Sequence, residues 1–100
     1  MRQIEQQMLD AVCGKLDWRS GDTSVWLRAV VQRDGNPLWF SEVFLHSNHI
    51  ATFWHDNGQL EVNRDTLIQW PTATTQSRLR ALGARVETRK GVVYLNGEAL

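Results

Sequence analysis

The stretch from Trp70 to Gly83, WPTATTQSRLRALG, gathers residue types that bind anions: three threonines, a serine and two arginines. Pro71 biases Trp70 toward an extended backbone, so a helix starts after it. Thr74 or Thr75 is the natural cap, and Gly83 stops the helix after Leu82. An arginine in the first turn faces the positive end of the helix macrodipole. Arg78 therefore either turns to solvent or meets a negative group. A helix start ringed by hydroxyls and an arginine suits a phosphate or carboxylate. Thr74, Thr75, Ser77 and Arg78 are the candidate members of such a site. Arg80 lies about 200° around an ideal helix from Arg78, so the two cannot grip one anion. With Arg85, Arg89 and Lys90 it extends a basic surface toward the C-terminus, a second way to meet DNA or RNA. Read as architecture alone, the stretch is a capped helix start with Trp70 on the core, and only Arg78 is left unexplained.

Other reactive residues form no chemical set. His46, His49 and His55 lie close in sequence, but structural zinc favours four ligands, usually including cysteines. The single cysteine, Cys13, is remote from them and has no Cys-x-x-Cys partner. It sits beside the apolar stripe of the first helix, as a small core or boundary residue. Ser41 or Ser47 could be lined up with His49 and Asp56, yet there is no Gly-x-Ser-x-Gly elbow. Acids are scattered through turns and helix starts, and no phosphate loop of the Gly-x-x-x-x-Gly-Lys type occurs. The expectation is a protein that is not an enzyme, with no metal and no cofactor.

Five tryptophans in 100 residues is a second anomaly. One small core cannot easily hide five indoles, and exposed indoles serve base stacking or protein interfaces. If Val25, Leu27 and Ala29 face inward, Trp26 faces outward. Ile50, Thr52 and Trp54 share one face of their strand, with Ala51 and Phe53 on the other. Trp26, Trp39 and Trp54 are the candidate protein-interface residues, and a homodimer is the cheapest interface to build.

The elements that position these residues follow from periodicity. Gln3 to Leu16 carries Ile4, Met8, Leu9, Val12 and Leu16 at helical spacing. Asp17 to Asp22 is a polar, turn-rich break. Period-two patterns then mark strands from Thr23 to Val31, Leu38 to Leu45, Ile50 to Trp54 and Gln59 to Val62. Asp34-Gly35 and Asn57-Gly58 supply hairpin turns, too short for parallel crossovers. Arg64 to Trp70 reads as a short turn or helical piece. After the helix ending at Leu82, Leu79 and Leu82 being its anchors, Val86 to Thr88 and Val92 to Leu95 close as a hairpin. The fold class is α+β: N-terminal helix, four-stranded antiparallel meander, second helix and C-terminal β-hairpin. Residues 1–100 make a single domain.

The net charge is zero, with 11 basic and 11 acidic residues, but it is unevenly spread. Residues 1–63 hold five cations against eight acids, and residues 64–100 hold six against three. Such asymmetry points weakly to an anionic partner. One cysteine allows no internal disulfide, and no apolar run is long enough for a signal or a membrane span. The expected setting is the cytoplasm, without membrane association.

Two segments together resemble a group of small proteins of tailed bacteriophages and prophages. They are Phe44-Leu45-His46-Ser47-Asn48-His49-Ile50-Ala51 and Trp70-Pro71-Thr72-Ala73-Thr74-Thr75-Gln76-Ser77-Arg78-Leu79-Arg80-Ala81-Leu82, followed by Gly91-Val92-Val93-Tyr94-Leu95. The likeness covers about residues 20–95 of the chain. It implies a phage accessory role, in which a small non-catalytic protein occupies a host or phage protein or a nucleoprotein complex. Inhibition of a host process, a defence complex included, is the expected form of that role.

Overall fold

The computed structural model describes residues 2–100. Helix α1, Gln3–Cys13, buries Met8, Ala11 and Val12 on one stripe. It stops earlier than the expected Leu16 because Lys15 turns left-handed (φ 54°), and the Leu16 amide reaches back to the Ala11 carbonyl. Leu16 is consequently exposed. Cys13, at the helix end, is exposed as well rather than sitting at the core boundary.

The expected polar break contains a strand, β1 (Trp18–Ser20), which pairs with β2 (Thr23–Val31) across a two-residue turn. The meander continues through β3 (Pro37–Leu45), β4 (Asn48–Trp54) and β5 (Gln59–Val62). The sheet is therefore five-stranded and antiparallel, in the order β1-β2-β3-β4-β5. The β3–β4 turn places His46 (φ 51°) and Ser47 (φ 66°) in the left-handed region without a glycine. Two such residues in succession fit the twist of a tight hairpin but are costly for side chains with a Cβ.

Val25, Val43, Ala51 and Val62 stand side by side in register on the face that receives the helices. The register slips after Val43, so that Phe44 pairs with His49 and Ile50 is an extra residue on β4. This bulge turns Ile50 into the core, at 1 % exposure. Ile50 therefore does not share a face with Thr52 and Trp54, as strict alternation predicts, because a bulge resets the phase of a strand.

After β5, Asn63 caps the short helix α2, Arg64–Gln69. Helix α3, Ala73–Ala81, is capped by Thr72 and not by Thr74 or Thr75. Thr72 Oγ1 accepts from the Thr75 amide at 3.1 Å. Pro71 sets up this earlier start, because Thr72 directly after it already has the extended cap backbone (φ −72°, ψ 160°). Leu79 is fully buried, and the chain leaves the helix through Gly83 at φ 106°. The C-terminal hairpin of β6 (Val86–Arg89) and β7 (Val92–Leu95) gains a third strand, β8 (Glu98–Ala99).

Met8, Val25, Val43, Ile50, Leu67 and Leu79 are the largest fully buried apolar side chains. The far half of the β2–β3 hairpin runs out beyond them, and from Arg28 to Trp39 only Leu38 is not exposed. The molecule is accordingly elongated, 48 × 29 × 20 Å.

Candidate interaction face

The basic constellation around α3 separates into an inner and an outer group. Arg78 is 4 % exposed, and the anion it meets is inside the chain. Its Nη1 lies 2.8 Å from Glu5 Oε2, its Nε donates to Thr23 Oγ1 at 3.1 Å, and Nη2 lies 3.8 Å from Asp22 Oδ1. Ser77 Oγ donates to the same Glu5 oxygen at 2.6 Å. Thr75 is buried, with its hydroxyl 3.0 Å from that of Thr72. Thr74 lines a cleft on the other side of the helix start.

The outer group is dispersed. Arg80 donates to the Val86 carbonyl, Arg85 and Lys90 are exposed, and Arg89 pairs with Glu87 while lying over the Tyr94 ring. The structure thus does not bring Ser77 and Arg78 together with the exposed Arg80, Arg85, Arg89 and Lys90. Glu5 is the residue that the motif reading missed. Its signal is its place three and seven residues before Met8 and Val12, on the stripe that α1 buries.

None of the five tryptophans is fully buried: Trp18, Trp26 and Trp54 are half-buried, while Trp39 and Trp70 are exposed. Trp70 stands off the core at 49 % exposure. The open sheet face, turned away from the helices, collects two of the five. Cross-strand register sets out its rows: Arg19, Ser24, Phe44 and His49; then Trp26, Glu42, Thr52 and Glu61; then Arg28, Phe40, Trp54 and Gln59. Trp39 belongs to the opposite face, in the row of Ala29, and is 44 % exposed. Trp26 and Trp54 therefore share a surface, and Trp39 does not join them.

Internal bonds hold this face rigid. Phe40 and Trp54 stack at 4.8 Å, and the Trp54 indole donates to Glu61 at 3.1 Å. Arg28 pairs with Glu42. His49 sits between the Thr52 hydroxyl (2.8 Å) and the Asn63 amide (3.1 Å). At one end of the face, a cleft of about 530 Å³ is lined by Arg19, Arg28, Trp26, Phe44 and His46, among others.

Residues from two of the segments quoted for the phage resemblance meet in a second cleft of about 360 Å³. There Leu45, His46, Asn48 and Ile50 face Trp70, Thr72, Thr74 and Thr75. A turn with two left-handed residues and a helix cap thus form opposite walls of one depression.

Ser41 hydrogen-bonds His55 Nε2 at 2.8 Å, rather than His49, and is completely buried. Among the described residues no group of three His, Cys, Asp or Glu side chains could hold a metal ion. Among the described residues no helix is long and apolar enough to cross a membrane.

The family model of the Kyanoviridae Gp96 protein matches residues 1–100, including the first helix. No curated protein and no solved structure matches the chain.

Proposed function

Because the chain belongs to the Kyanoviridae Gp96 protein family, a family of bacteriophage proteins, we propose that it is a non-enzymatic phage accessory protein that acts by occupying a macromolecular partner. The observation that supports this most directly is the open sheet face, where Trp26, Phe40, Phe44 and Trp54 stand without a covering element. Large aromatic side chains held rigid at a surface lose little entropy on binding and dominate interface energies. The partner is a host or phage protein, and interference with a host process, a defence complex included, is the role such occupation serves.

The test is capture from host lysate with the wild type and with the Trp26→Ala/Trp54→Ala variant, its folding checked by circular dichroism. The wild type should retain a protein that the folded variant loses. Equal recovery by both would remove the open face from the function. Recovery of nucleic acid alone would shift the reading to base stacking on Trp26 and Phe44 with phosphates at Arg19 and Arg28, which line one cleft.

A further inference from the structure

Strand β2 is nine residues long, but β1 covers only Thr23, Ser24 and Val25 of it. Main-chain groups along a strand point alternately to its two neighbours. Asp22 bonds toward the β3 side through His46, and Gln32 does so through Asn36, so the even-numbered residues of β2 point to β3. The odd-numbered ones point to the β1 side, and the Leu27 amide confirms this by donating to the Asp17 carboxylate at 2.7 Å. Beyond β1, the Leu27 carbonyl and both main-chain groups of Ala29 and Val31 therefore face an open edge. Ala29, Val30 and Val31 are all exposed, Val31 at 72 %. Natural edges are usually blunted by lysine, proline, a bulge or a covering element. Ala29-Val30-Val31 has none of these.

We propose that this edge is the docking site of a second copy of the chain, joined by antiparallel pairing of β2 with its counterpart about a two-fold axis at Ala29. The edge is complementary to itself in that register. Ala29 meets Ala29 of the partner subunit on the axis, where a small side chain leaves both backbones free to approach. Ala29 exchanges its amide and carbonyl with its counterpart, and Leu27 exchanges both bonds with the Val31 opposite, whose carbonyl takes the place of the Asp17 carboxylate on the Leu27 amide. On the core-side face Leu27 packs against Val31, and on the open face Arg28 stands beside Val30, so no like charges are opposed. Pairing covers the exposed valines and joins the two five-stranded sheets into one. Each copy contributes the same patch, as a closed dimer requires. This inference is independent of the partner proposed above, since it concerns the edge and not the open face.

Sedimentation equilibrium over a range up to several hundred micromolar tests it. The wild type should associate reversibly to twice the chain mass. Ala29→Pro should remain monomeric with an unchanged circular dichroism spectrum, because its lost amide points away from β3 and proline is tolerated on that side of an edge. Val31→Lys, which places a charge on the edge without touching the β2–β3 ladder, should also be monomeric, and it decides the matter should Ala29→Pro fail to fold. A wild type that stays monomeric throughout, or a dimer that survives in a folded variant, overturns the proposal.

Discussion

Arg78 and Glu5 form the most consequential contact at the scale of single residues. Both are buried, and each is the other's principal charge partner. Removing one member of such a pair strands the other in the interior, at a cost of about 3–5 kcal/mol, whereas apolar replacement of both is often tolerated. Arg78→Ala should therefore lower unfolding stability by about that amount in urea titrations. Arg78→Met with Glu5→Leu should recover most of the loss; a near-neutral Arg78→Ala would show that the pair does not anchor α1. Protonation probes the same contact. Burial alone raises the Glu5 carboxyl, but hydrogen bonds from Ser77 and Arg78 and the Arg78 charge outweigh it, so it titrates below its ordinary 4.5. A lowered folded value means that the contribution is complete above about pH 4.5 and is lost as pH falls through the folded value. His55 is held below its ordinary 6.5 by burial, with a smaller effect from Lys15. The unfolded chain then takes up that proton first, so its contribution begins to fade as pH drops through 6.5. Melting temperature against pH should show two stages of acid loss, with the upper one absent in His55→Gln. Sequence spacing isolated Arg78 as unexplained but did not find its partner, because Glu5 is 73 residues away and helical spacing carries no information over that distance.

Among the elements, those with a long regular period were legible and those made by one local bond were not. β2 and β5 fall where alternation puts them, and the near half of β2 alternates because Thr23 and Val25 meet the core. β1 has three residues and no apolar alternation, so only the turn at Gly21-Asp22 and its pairing with β2 reveal it. The bulge at Ile50 is equally silent, since a one-residue slip leaves the composition of the strand intact. The α3 cap shows the same limit with three threonines to choose from. Thr72→Ala should cost about 1 kcal/mol in chemical denaturation. Thr74→Ala should cost much less, because Thr74 is not the cap, and equal losses would contradict the cap seen here.

For the molecule as a whole, the α+β class and the element sequence were legible from periodicity and turn chemistry, with β1 and β8 as the additions. The candidate site was legible only in part. The tryptophan excess pointed to surface indoles, and none of the five is in fact fully buried. Alternation within β3 puts Trp39 on the face of Val43 and Leu45, and cross-strand register shows that this is the face opposite Trp26 and Trp54. The charge asymmetry is in part internal. Part of the excess acid of the first 63 residues and of the excess base of the remainder cancels within the fold, at Glu5 and Arg78.

That pairing also sets a schedule for synthesis. At about 5–20 residues per second, Glu5 emerges from the ribosome roughly 4–15 s before Arg78. Throughout that interval the nascent α1 carries a carboxylate with nothing to neutralise it on the stripe destined for the interior. α1 therefore cannot complete its contact with α3 until that interval has passed, and Met8, Ala11 and Val12 stay open to chaperones for as long.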